Sequence, residues 1–263
     1  MVYNSFLFLL LNLLCHKNNI NYFLRLGEFD QQGRKKVYND KCMLTCMMYS
    51  QSQTRKDSER TLRLKGELLM DKIGHLVVTK SLTGDMPKTH KAALLLGSIL
   101  PDLFVYTYLE GHTWEATFDK IINRMEVLEE KGRGGCFSYL KLGWILHYVE
   151  DYFTYPHNTI FEGTIPEHYA YEKKMTRWMR EGALEQMSIP LCKQFDTASQ
   201  LENRIQKLHD QYLSQEMSNE NDTTYMRQIV SEILNCYEEI FTNKREFARF
   251  MGWIRRKAGA KTA

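Results

Sequence analysis

The sequence predicts an all-α fold, a bundle of several helices, on three observations. Apolar residues recur at steps of three and four through most of the chain beyond Met70, no run alternates cleanly as a strand would, and the glycines of 132–135 punctuate the pattern. The clearest period lies over 223–241. There Met226, Ile229, Val230, Ile233, Leu234, Tyr237, Ile240 and Phe241 make one broad apolar face.

Helices are expected over 71–82, 89–108, 113–130, 137–155, 165–181, 196–215, 223–241 and 244–257. The first opens on Ile73, Gly74, His75 and Leu76, the start of an amphipathic segment. The second carries the apolar run Gly97 to Leu103, in which Pro101 precedes Asp102. His112 follows Gly111 just before the third, which Gly132 to Gly135 separate from the fourth. Pro156 cannot sit in a helix interior, so the fourth should end near Tyr155. The fifth has a legible start, since Thr164, Ile165, Pro166 and Glu167 have the form of a capping box with proline in the first turn. The last three carry no motif beyond their period.

Chemistry concentrates in Leu142 to Asn158, an apolar and aromatic run that holds His147, Asp151 and His157. His147 and Asp151 are four residues apart, so on a helix they share one face roughly 6 Å apart along the axis and can grip one ion. His157, past Pro156, should swing out on the following loop. His168 and Glu172 repeat the four-residue spacing on the next helix. Blander readings stand beside these: a hydrogen-bonded core histidine at His147, a solvated pair at His168 and Glu172, a helix cap at Asp102, an exposed loop residue at His112. Glu150 points to another face of its helix and is left out. His16, His90 and His209 are expected to face solvent. Phe104, Tyr106, Tyr108, Tyr148, Tyr152, Phe153 and Tyr155 either line a substrate mouth or pack.

Taken together, His75, Asp102, His112, His147, Asp151, His157, His168 and Glu172 resemble the ligand order of the bacterial zinc-dependent phospholipases C, whose relatives include the S1/P1-type nucleases. The match is H-x3-D-x5-H followed by H-x3-E and spans about Met70 to Met179. The resemblance implies a phospholipase C/P1 nuclease-like bundle with metals between helices and two or three Zn²⁺ per chain. It places Asp102, His112, His147 and Asp151 on one zinc, His157, His168 and Glu172 on a second, and His75 with the shared Asp151 on a third. In characterised members the third is completed by the amino terminus of the mature chain, a tryptophan exposed by processing; no tryptophan precedes His75 here. Imidazole and carboxylate ligands with a position left for water suit a catalytic rather than a structural zinc. The implied reaction is zinc-assisted hydrolysis of a phosphodiester, with a phosphate ester or phospholipid as substrate, a possible membrane surface as partner, and Asp102 as candidate general base as well as ligand. The nuclease branch tends to close its H-x3 pair with Asp, so Glu172 leans toward the phospholipase branch. The alternatives are a nuclease or small-molecule phosphodiesterase on the same scaffold, and a non-catalytic zinc-binding helical protein.

Residues 1–69 differ in character and show no sustained period. Their apolar run Phe6 to Leu14 is too short to span a bilayer and lacks the flanks of a signal peptide. Lys65, Gly66 and Glu67 are what a purine-rich ribosome-binding sequence encodes in frame. The expectation is a native start at Met70, with one helical enzyme domain over 70–263. The formal net charge of +3 gives no separate argument for nucleic acid. Cys136, Cys192 and Cys236 are odd in number and widely spaced, which points to reduced thiols and a cytoplasmic location.

Overall fold

A computed structural model describes residues 73–103, 111–188 and 193–259. The expected start at Met70, the extension 1–69, Cys192 and the aromatics Phe104, Tyr106 and Tyr108 lie outside those residues. All regular structure among the described residues is helical, as expected. The helices are α1 (73–81), α2 (Lys88–Gly97), α3 (Trp114–Lys131), α4 (Cys136–Tyr152), α5 (Ile165–Trp178), α6 (Ala198–Leu213) and α7 (Asn219–Gly259).

Helix α4 is the centre. It is apolar on every face, which suits a helix buried all round, and α2, α3 and α7 pack against it while α6 covers α3 and α7. The α2–α4 crossing is set by two glycines. A Cβ on Gly97 would strike the Leu140 carbonyl and one on Gly143 the Leu94 carbonyl, so only glycine lets the two backbones touch. That closeness has a chemical consequence, because it brings the Ser98 carbonyl within 3.0 Å of His147 Nδ1.

Several boundaries differ from expectation. The helix expected over 89–108 ends at Gly97, and a 3-10 turn, Pro101–Leu103, follows. Pro101 disfavours helical backbone at Leu100 and cannot donate to the ladder. Helix α4 stops at Tyr152, and Tyr155–His157 form a separate 3-10 turn rather than an open loop, with the His157 N–H donating to the Thr154 carbonyl at 3.0 Å. Glu167 accepts from both the N–H and the hydroxyl of Thr164 at 2.7 Å, so α5 starts where its capping residues place it. Beyond Trp178 it widens into a π-turn, Met179–Ala183, where Gly182 takes a φ of 101°. The two helices expected over 223–241 and 244–257 are one continuous helix, α7, since nothing between Phe241 and Lys244 breaks the ladder. Of its expected apolar face all but the half-buried Ile240 are buried.

Candidate metal centre

Asp102, His112, His147 and Asp151 come from three places, the 3-10 turn after α2, the residue pair before α3, and α4, yet their donor atoms converge. His147 Nε2 lies 3.2 Å from His112 Nδ1, 3.4 Å from Asp151 Oδ2 and 3.5 Å from Asp102 Oδ1. His112 Nδ1 lies 3.1 Å from Asp151 Oδ2 and 3.8 Å from Asp102 Oδ1. A tetrahedral zinc with ligands at about 2.0–2.1 Å spaces its donors by about 3.3 Å. These five separations bracket that value, and the donors are imidazole nitrogen and carboxylate oxygen throughout, so the residues fit a zinc ion. His147 donates through Nδ1 to Ser98, which fixes its tautomer and leaves the Nε2 lone pair facing the cluster.

Asp151 joins this set to the others. Its second oxygen, Oδ1, is 3.3 Å from His75 Nε2 and 3.6 Å from His157 Nε2. Glu172 Oε1 is 2.8 Å from both His157 Nε2 and His168 Nε2, so α5 and the 3-10 turn close a further three-donor group. His75 also groups with Asp102 and His147. Of the eight residues singled out in the sequence, His75, His112, His147 and His157 face Asp151 directly, Asp102 joins through His112 and His147, and Glu172 with His168 joins through His157.

Electrostatics follow from burial. Burial pushes the Asp151 carboxyl up, but the imidazoles of His157, His147 and His75 outweigh it and hold the group well below the usual carboxylate range. Burial, with His75 adding to it, pushes His147 down to about 4, so it is a neutral ligand-type imidazole at neutral pH. Glu172, despite burial, is drawn down to about 2 by hydrogen bonds from His157 and His168.

Two residues set aside in the sequence belong here. Glu150 does not point away from the site: it lies three residues from His147, on a neighbouring part of the same face of α4, and meets α1, where His75 Nδ1 donates to Glu150 Oε2 at 2.6 Å and Thr79 donates to Oε1 at 2.9 Å. A carboxylate on the far ring nitrogen is the usual orienting partner of a metal-bound histidine. The signal was available, since a helix apolar on all faces leaves a glutamate no route to water. His209 is buried, not solvent-facing. It stacks on Trp114 with ring centroids 3.9 Å apart, and its Nε2 donates to Asn158 Oδ1 at 2.8 Å. Asn158 in turn donates to the Tyr152 and Thr154 carbonyls at 3.2 and 2.9 Å, which ties down the turn carrying His157. Asp222, on α7, grips the same turn from the other side, accepting from the Tyr155 N–H at 3.0 Å and from the hydroxyls of Tyr171 at 2.8 Å and Tyr212 at 2.9 Å. His90 is half-buried and stacks on Tyr139 at 4.2 Å. Tyr148, Tyr152 and Phe153 are packing residues, whereas Tyr155 lines a surface cavity of about 540 Å³ with Phe161 and Tyr171.

A helical bundle that gathers five imidazoles and three carboxylates into linked donor groups has the make-up of a metal-binding protein. The family described as zinc dependent phospholipase C matches residues 73–219, more than half of the chain, and the chain belongs to that family. No curated protein and no solved structure matches it. Among the described residues no helix is long and apolar enough to cross a membrane.

Proposed function

We propose that this protein is a zinc-dependent phosphodiester hydrolase that cleaves a phospholipid-type substrate to a diacylglycerol and a phosphorylated head group. The observation that carries the reading is the bridging position of Asp151, whose two oxygens face two different donor sets. In the proposal Asp102, His112, His147 and Asp151 hold one zinc, His157, His168 and Glu172 a second, and His75 with Asp151 part of a third. Bound zinc supplies Lewis acidity toward phosphoryl oxygens and a water whose pKa falls to about 7.

The protein's own groups do the rest. Ser98 and Glu150 orient His147 and His75, and His209 with Asn158 holds the turn that presents His157. Asp102 has a side chain 12 % exposed, against 3 % for Asp151 and 0 % for His147, so it lies toward the open side of its set and is the candidate to accept a proton from the attacking water. The domain reading belongs to the same proposal: an enzyme domain over 70–263 after an extension of residues 1–69, checked by N-terminal sequencing of the native protein.

The test is elemental analysis of freshly purified protein together with hydrolysis of a chromogenic phosphodiester and of a phospholipid, with phosphorylated head group as the product scored. Two or more zincs per chain and release of that product are expected. Less than one zinc per chain would overturn the reading, and zinc without hydrolysis would leave a non-catalytic zinc protein.

A further inference from the structure

Beyond Phe241, α7 changes character. Up to that point most of its apolar residues are buried and none is exposed, and just past it the helix is pinned to the body: Lys244 donates to the Glu129 and Glu130 carbonyls and Arg245 to the Gly134 carbonyl. From Glu246 to Phe250 every residue is exposed. Phe247 is 66 % exposed, Phe250 55 %, Trp253 48 % and Ile254 38 %. At 100° per residue, Phe247, Phe250, Met251 and Ile254 fall on one arc with Trp253 at its edge, while Arg245 and Arg249 take the opposite arc. A contiguous apolar stripe of this size marks an interaction surface.

Charge decides the kind of partner. Over 246–257 the sequence carries Arg249, Arg255, Arg256 and Lys257 against the single acidic Glu246. A second copy docked stripe to stripe would bring two strongly cationic helices together, with little acid to neutralise them. An anionic phospholipid surface satisfies both halves of the pattern, because aromatic and aliphatic side chains enter the acyl boundary and tryptophan rests at head-group depth while arginines and lysines meet lipid phosphates and carboxylates. We propose that residues 246–257 of α7 lie in the plane of an anionic bilayer and dock the protein on it. This goes beyond the hydrolase reading and stands without it, since docking is scored with no turnover.

The experiment uses the full chain with its metal, sedimented in the cold with vesicles of phosphatidylcholine alone or with about one-third phosphatidylserine. Binding to the anionic vesicles should be at least about tenfold tighter than to the neutral ones and should weaken as salt rises. The Phe247→Ser, Phe250→Ser, Trp253→Ser triple variant alters exposed positions, so its helix content, zinc content and rate on a water-soluble phosphodiester should equal those of the wild type while anionic binding falls to the neutral level. Equal vesicle binding by wild type and variant would overturn the proposal. So would a concentration-dependent dimer of the wild type that the variant abolishes without change in vesicle binding, which would assign the stripe to a second copy. Vesicle binding as expected with no phosphodiester hydrolysis in either protein would sink the hydrolase reading and leave the docking surface in place.

Discussion

Asp151 is the residue on which the centre depends, because one carboxylate faces His112 and His147 through Oδ2 and His75 and His157 through Oδ1. Asp151→Asn keeps the shape but removes the negative charge and replaces one of the two oxygens with an NH2 group that cannot ligate, so it should remove zinc from more than one position and abolish phosphodiester hydrolysis, as read by elemental analysis and rate. Glu150 acts one step back. Glu150→Gln should leave the fold intact yet lower zinc affinity at the His75 position by about 10- to 100-fold in a chelator competition, since the His75 ring loses the carboxylate that orients it and raises its basicity. The contrast between His209 and His90 is equally testable. His209→Ala leaves the Asn158 oxygen buried without its donor and removes the Trp114 stack, together about 2–4 kcal/mol in urea unfolding. His90→Ala removes only a half-exposed ring from Tyr139 and should cost less than about 1 kcal/mol.

At the scale of elements, the α2–α4 crossing and the turn after α4 are the two joints that aim ligands. Gly97→Ala or Gly143→Ala would force the helices apart, costing about 3 kcal/mol and weakening zinc binding through the lost Ser98 contact with His147, measured by thermal unfolding and metal titration. The second joint carries a pH signature. Burial raises Asp222 to about 6 although the Tyr155 N–H, Tyr171 and Tyr212 all donate to it. A carboxyl raised above its unfolded value binds its proton first in the folded chain, so the folded state gains stability as pH falls through about 6 toward about 4, where the unfolded group also protonates. Asp222→Asn does not titrate. The wild type should therefore gain on this variant by on the order of 2 kcal/mol between pH 7 and pH 4.5, in matched unfolding experiments on chelator-treated protein.

For the whole molecule, the proposed ligands are drawn from α1, the turn after α2, the approach to α3, α4 and α5, an arrangement in which metal binding would be part of folding. Chelation should therefore lower both the melting temperature and the helical circular dichroism, and zinc should restore them. The family match ends at residue 219, so Asp222 and nearly all of α7 lie past it. Those residues still bear on the centre, because the Asp222 carboxylate holds the turn that carries His157.

The sequence by itself determined the helical class, the start of α5, the His147–Asp151 and His168–Glu172 pairs and the family, because each is written in local spacing: a four-residue step on a helix fixes a shared face wherever the helix goes. It could not fix the partners of groups whose faces are equally apolar. Glu150 looked idle because its partner, His75, is 75 residues away, and His209 looked solvated because Asp210 stands beside it, though its register with Ile205 and Tyr212 places it on the buried face of α6. The Gly97–Gly143 contact, the joining of two expected helices into α7 and the sharing of Asp151 among donor sets are likewise decisions of tertiary structure. They depend on which surfaces meet, and pairings between distant segments are settled by packing and by the need to satisfy every buried polar group, not by local pattern.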